Sequence, residues 1–334
     1  MKILIIGGTG LISTTITEIL AGQGYTVVLY NRGQSFYTTP PSVHTIHGDR
    51  TNYPAFENDI KEAGLFDCVI DMVGYQPEDA DSLVSNFKGH TGQVIFCSTV
   101  DVYQKPASHY PYTEQEPYGG LNNYSRNKVI IEKKLLEAAK NDAFPLTIIR
   151  PAYTYGEGRG PLSPFSRTAY IDRLRKHKPI VVHGDGTSLW TCCHAGDVAR
   201  AFVAAVGNQA AYGKSYHAAG EEWLTWNQFH QQAAEAIGAP EPELVHIPSD
   251  LLAKTTRVKL CAENFQFCNI FDNSHAREDL HFNYTVTWKD GVRRMVDWLD
   301  ERGKVDNSDL DPYEDRVIAA WKGVEKSMLY AGLV

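Results

Sequence analysis

Residues 3–15 read ILIIGGTGLISTT. The apolar run Ile3–Ile6 meets glycines at 7, 8 and 10, then passes into a helix-compatible stretch, Leu11–Ala21. A short, wholly apolar run stopped by glycine reads as a strand buried on both faces. Glycine permits a tight turn and close approach of a ligand to backbone N–H groups, and a helix N-terminus adds partial positive charge. Strand, glycine loop and helix in that order form a cradle for the pyrophosphate of a dinucleotide, with Gly7, Gly10, Leu11 and Ile12 as its contacts. The cradle's usual last glycine, which lets the helix pack closely on the strand, would fall at 13. This chain has Ser13 there, which is small enough to do the same.

The pattern continues. Apolar runs recur at Thr26–Tyr30, Val43–His47, Cys68–Met72, Gln93–Cys97 and Leu146–Ile149, with helix-compatible stretches such as Pro77–Phe87 and Tyr124–Lys140 between them. Such alternation predicts an α/β fold of Rossmann type, a doubly wound parallel sheet covered on both faces. Residues 1–150 are expected to form the dinucleotide-binding domain. From 151 to 190 the chain is rich in Gly, Pro and Tyr, which suits loops over a cleft. Helical patterns return near 196–207, 225–237 and 287–302, and short strands are expected near 180–182 and 243–247. Residues 151–302 read as a smaller substrate-binding lobe, and 303–334 as a helical tail.

Composition narrows the function. The 334 residues are 43% hydrophobic and 22% charged, with a formal net charge of −8. That charge argues against nucleic acid or an acidic membrane surface as partner. No stretch approaches the ~20 apolar residues of a membrane span, and no signal-peptide pattern opens the chain. A cytoplasmic protein is expected. The six cysteines form no CxxC pair, so they read as reduced thiols without a disulfide framework or metal site.

Other residues report on the dinucleotide. The second strand ends in LYNRG; an acid there would bond the 2′-hydroxyl of NAD, whereas arginine accepts the 2′-phosphate of NADP. Asn31 and Arg32 tilt the expectation toward NADP, although Arg32 also reads as a solvated loop cation. HGDRTN sets Asp49 and Arg50 after the third strand, where Asp49 suits an adenine contact or, equally, a simple turn. In DMVGY, Val73 reads as a cofactor contact and Gly74 as a substrate contact, while Asp71 either orients a group in the cleft or caps its strand.

A second constellation supplies chemistry. YSRNK puts Tyr124 and Lys128 on one face of a helix, and FCSTVDVY ends a strand with Ser98 and Thr99. The ammonium of Lys128 would lower the tyrosine pKa and bind the cofactor ribose. Tyr124 would move a proton to or from a substrate oxygen that the Ser/Thr hydroxyl holds.

With GGTGLIS, HGDRTN, FCSTVDVY, YSRNK, IIRPAYTYGEGRG, VVHGDGTSLWTCCHAGDVARAF and TWKDGVRRMVDWL in place, residues 1–302 resemble the extended short-chain dehydrogenases/reductases, which include nucleotide-sugar epimerases and dehydratases. The resemblance implies that Thr99, Tyr124 and Lys128 are catalytic, with Ser98 beside them. It places Arg150–Tyr153 at the nicotinamide, so that Pro151 and Tyr153 contact cofactor, and makes Asp101, Tyr153 and Arg159 substrate contacts. It also implies a homodimer built on the two helices around Tyr124. The chain departs from the pattern at three places. Dehydratases carry Asp-Glu after the threonine, where this chain has Val100-Asp101; epimerases carry asparagine where it has Tyr153; and Ser13 replaces glycine. These departures resemble an atypical NAD-dependent epimerase/dehydratase branch, similar to the chloroplast stem-loop-binding proteins. The expected function is a nicotinamide-dependent epimerase or oxidoreductase acting on a sugar or nucleotide-sugar hydroxyl. The alternatives are an NADPH-dependent carbonyl reductase and a non-catalytic RNA-binding protein of the same fold.

Overall fold

The computed structural model describes residues 1–334 except 36, 159–164, 166–167, 256–260 and 333–334. The chain forms two compact units. The first comprises Met1–Thr154, Cys192–Glu221 and Phe271–Thr285; the second comprises Tyr155–Thr191, Glu222–Ile270 and Val286–Val334. The sequence reading divides the chain at 150 and 302; in the structure the first unit also takes back two later segments.

The first unit is built on β1 (Lys2–Ile6), α1 (Ser13–Gly22), β2 (Thr26–Asn31), β3 (His44–His47), α2 (Tyr53–Ala63), β4 (Cys68–Asp71), α3 (Pro77–Phe87), β5 (Val94–Cys97), α4 (Asn123–Lys140), β6 (Leu146–Pro151), α5 (Ala195–Ala205) and β7 (Lys214–Ala218). Seven strands pair in parallel in the order β7-β6-β5-β4-β1-β2-β3. The expected doubly wound sheet is present.

Strand alternation explains the unbroken apolar run. Ile3 and Ile5 join a core with Ile16 and Leu20 of α1 and with Val198 and Phe202 of α5. Leu4 and Ile6 face the opposite core, with Phe56 and Ile60 of α2, Leu83 and Phe87 of α3, and Ile131 and Leu135 of α4. The four apolar side chains of β1, Ile3–Ile6, are fully buried. Each contributes about 1.5–3 kcal/mol by leaving water, which commits this segment to the sheet centre. β1 is flanked by β2 on one side and β4 on the other, so the connections reverse direction there. Ligands of such sheets bind at that reversal, outside the strand C-termini.

In the second unit, Ile180–His183 pairs in parallel with Leu244–Ile247, and helices run over Trp226–Ala236, Trp288–Glu301 and Tyr313–Tyr330. Its centre is aromatic: Trp226 contacts Trp190, Phe229 and Phe265, and Phe229 stacks on Trp288 at 4.0 Å. Among the described residues no helix is long and apolar enough to cross a membrane.

Candidate active site

The glycine loop leaves β1 with Gly7 at φ +84°, and a Cβ on Gly7 would stand 2.4 Å from Val73 Cγ1. Both the left-handed backbone and the close approach require glycine. Ser13 does more than stay small. Its Oγ donates to the Gly7 carbonyl at 2.6 Å and accepts from the Gly10 N–H at 2.8 Å, so it ties the two ends of the loop together. Thr17 donates to the Gly8 carbonyl at 2.9 Å. Leu11 and Ile12 stand at the entrance of α1, Ile12 in the N-cap position.

The loop forms one wall of a groove of about 470 Å³ at the sheet reversal. Gly7, Gly10, Asn31, Arg32, Asp49, Arg50 and Val73, all singled out from sequence, line it together with Tyr75. Asn31 Oδ1 accepts from the Gly33 N–H at 2.9 Å. Asp49 accepts from both the N–H and the hydroxyl of Thr51, bonds that hold its carboxyl below the usual range. Arg50 sends its guanidinium to buried Asp71 at 2.5 Å and to Asp79 at 3.4 Å. Asp71 also accepts from the Val73 N–H at 2.9 Å, so it both caps β4 and anchors Arg50. A Cβ on Gly74 would stand 2.8 Å from the Phe96 ring and 3.0 Å from the Asp71 carboxylate. A strand-end cradle that rejects a Cβ, next to a groove of this size, fits a dinucleotide.

Thr99 and Ser98 follow β5. The Thr99 hydroxyl is near enough to the Tyr124 phenol to oppose the rise of its pKa, and Thr99 Oγ1 accepts from the Asp101 N–H at 3.2 Å, which starts a short 3-10 turn over Val100–Val102. Ser98 Oγ is buried without a hydrogen-bond partner among the described residues. α4 carries Tyr124 and Lys128 and is capped by Asn122, whose side chain accepts from the Ser125 N–H at 3.0 Å. The predicted trio of Thr99, Tyr124 and Lys128 is therefore brought together.

Their charge state differs from the sequence expectation. Lys128 is buried; its Nζ donates to the Cys97 carbonyl at 2.6 Å and lies 4.6 Å from the Phe96 ring and 5.9 Å from that of Tyr124. Burial holds this ammonium below its ordinary pKa. The Tyr124 phenol is held above its ordinary range, chiefly by desolvation, with Cys97, Asp101 and Tyr75 adding to the rise and Thr99 opposing it. With its pKa raised, Tyr124 rests as a neutral phenol, while one N–H of Lys128 is engaged with the Cys97 carbonyl.

Sequence reasoning missed several groups here. The side chain of Lys105 is buried with Nζ 3.6 Å from Asp101, and desolvation lowers its pKa to about 8. Glu132, one turn beyond Lys128, forms a buried two-point ion pair with Arg150 at 3.0 and 2.5 Å. Arg150 also donates to Tyr103 at 2.8 Å, and Tyr103 bonds His217 Nε2 at 2.6 Å. The Arg150 guanidinium is thus engaged with Glu132 and Tyr103, while Pro151 ends β6 and Tyr153, half-buried, begins the next strand. Only the YxxxK register of α4, which places Glu132 on the Lys128 face, signalled this network.

Other polar groups of the family-like stretches have structural posts. Asp197 bonds Arg200 and accepts from the Thr285 N–H at 2.8 Å, and His194 accepts from the Gly196 N–H at 3.1 Å. Tyr155 is fully buried and donates to the Thr287 carbonyl at 3.2 Å. Arg159 lies outside the described residues.

This is the fold of the extended short-chain dehydrogenases/reductases. The sequence profile of the NAD dependent epimerase/dehydratase family matches residues 3–219, and the chain belongs to that family. It is 30% identical over 259 residues to the chloroplast stem-loop binding protein of 41 kDa b of Arabidopsis thaliana, a match covering 73% of this chain and 65% of that protein. It is 24% identical to the 2′-dehydrokanamycin reductase of Streptomyces kanamyceticus, covering 93% of this chain and 88% of that one. A UDP-glucose 4-epimerase from Bifidobacterium longum, solved with NAD+ and UDP, superposes with a TM-score of 0.72 at 20% identity over 92% of this chain and 100% of its own, which shows the shared fold.

Proposed function

We propose that this chain is a nicotinamide-dependent epimerase or oxidoreductase acting on a sugar hydroxyl through Tyr124. The observation that carries this reading is the meeting of Thr99, Tyr124 and Lys128 beside a groove whose loop rejects a side chain at Gly7 and Gly8. Gly7, Gly10, Leu11, Ile12, Val73 and Lys128 would hold the dinucleotide, with Asn31, Arg32, Asp49 and Arg50 at the adenosine end and Pro151 and Tyr153 at the nicotinamide. When bound in its oxidised form, the nicotinamide supplies a hydride acceptor and a positive charge.

The residues then divide the work. Thr99 holds the substrate oxygen. Tyr124, resting as a phenol, gives its proton to a carbonyl oxygen in the reducing direction. In the oxidising direction it takes the hydroxyl proton once neighbouring positive charge has brought its pKa down. Lys128 contributes the nearest protein cation. Gly74, Asp101, Tyr153 and Arg159 are the proposed substrate contacts.

Tyr124→Phe should lower turnover at least a hundredfold, the usual scale of a lost acid–base group, with cofactor affinity changed by less than about twofold. Retained turnover would remove Tyr124 from the chemistry. A second reading, an NADPH-dependent reductase of a keto sugar, is supported by Arg32 on the groove wall and by the near full-length similarity to 2′-dehydrokanamycin reductase. Nicotinamide absorbance separates the two: a reductase consumes cofactor stoichiometrically, whereas an epimerase returns it.

A further inference from the structure

Asn127 lies between Tyr124 and Lys128 on α4, and neither proton nor hydride transfer uses it. Asparagine is a poor helix former, so a half-buried helix position gains from it only where its amide is used. Here the amide is used twice. Its Nδ2 donates to the Tyr75 carbonyl at 3.0 Å and to Gln76 Oε1 at 3.1 Å, which gives each of its two hydrogens an acceptor. Tyr75 and Gln76 follow β4, on the stretch that also carries Val73, and Val73 and Tyr75 line the groove. Asn127 therefore ties the helix of the reactive pair to one wall of the groove.

The same wall is held from its other side by Asp79 of α3. Its Oδ2 accepts from the N–H groups of Tyr75 and Gln76, each at 2.8 Å. Asp79 in turn meets Arg50, which lines the groove at the end given above to adenosine. Arg50 donates to the Asp79 carbonyl at 3.2 Å, and its Nε lies 3.4 Å from the Asp79 carboxylate. Polar contacts thus run from Arg50 through Asp79 to Tyr75 and Gln76, and from these through Asn127 to α4.

We propose that Asn127 is a positioning residue that couples the adenosine end of the groove to the reactive helix. A nucleotide seated on Arg50 steadies Asp79 and the wall, and Asn127 carries that order into the first turns of α4, where Tyr124 and Lys128 stand. Binding at one end of the groove thereby prepares the other end for chemistry. This rests on the dinucleotide reading of the groove and adds to it a link between its two ends.

Hydrogen-exchange mass spectrometry of the full chain tests this, with ADP as the probe at a concentration that displaces NADH. ADP carries adenosine and pyrophosphate but lacks the nicotinamide and its ribose, the parts given to Lys128 and Tyr124. In the parent, ADP should slow amide exchange over residues 123–130 by about threefold or more. Asn127→Leu keeps the bulk and is the better helix former, and Lys134 still joins α4 to Asp81 of α3 at 2.6 Å, so the helix persists. This variant should bind ADP within about twofold of the parent and lose the slowing over 123–130. Asn127→Gln, which keeps the amide, should recover about half of it or more. No slowing in the parent, slowing in Asn127→Leu equal to the parent's, or no recovery in Asn127→Gln overturns the coupling and leaves the cofactor reading standing. Failure of the parent to bind either ADP or NADH overturns the cofactor reading itself.

Discussion

Ser13 shows how a single residue is read and then re-read. Its size was legible in the sequence; its two hydrogen bonds to Gly7 and Gly10 were not, because they depend on the path of the loop between them. Ser13→Ala removes both bonds, and a hydrogen bond of this kind contributes about 0.5–1.5 kcal/mol. The variant should therefore melt at lower temperature and bind NADH at least severalfold more weakly; an unchanged affinity would deny the serine its role in shaping the loop. Lys105 is the contrasting case. Lysine in a loop reads as solvated, and only the folded chain shows its side chain to be 2% exposed beside Asp101. Its pKa of about 8 means that raising the pH through that value removes the cation backing Asp101. Turnover in the parent should accordingly change in a step near pH 8 that is lost in Lys105→Met, and an identical profile in both proteins would contradict that link.

At the scale of elements, α4 does the most. It presents Tyr124, Lys128 and Glu132 at successive turns of one face, and Glu132 ties it to Arg150 on β6 and through Arg150 to Tyr103, four residues past Thr99. Breaking a buried ion pair by removing one partner costs about 3–5 kcal/mol, since the other charge is left without compensation. Glu132→Ala should lower the unfolding free energy by about that amount, measured by urea titration; a loss below about 1 kcal/mol would show that the pair is not coupled to folding. The helices of periodic apolar pattern, including Pro77–Phe87, were legible, as were the strands of unbroken apolar composition. α2 escaped notice because its buried stripe is only Phe56 and Ile60 among polar residues. β7 escaped because KSYHA has no apolar run, although it forms the edge strand of the sheet. Edge position and tertiary context, rather than composition, make that segment a strand.

At the scale of the whole molecule, the chain's two returns to the first unit were invisible in sequence, because no composition break marks 191–192, 221–222, 270–271 or 285–286. The second unit carries a pH signature. Burial lowers His183 from 6.5 to about 4 and His230 to about 3. The unfolded chain therefore binds protons that the folded unit refuses, and stability falls as pH drops from 6.5 toward 4, on the order of 3 kcal/mol for His183 alone. Glu314, raised by burial to about 7, works oppositely over 4.5 to 7 but is one group against two. Thermal unfolding of this unit should come earlier at pH 4.5 than at pH 6.5, and the reverse order would refute the buried neutral histidines. The central claim concerns the groove. Energy transfer from protein tryptophan to NADH or NADPH, titrated at neutral pH, should saturate for at least one of them in the parent and weaken at least tenfold in Gly7→Val, whose side chain would collide with Val73. Failure of both nucleotides to bind the parent would contradict the account.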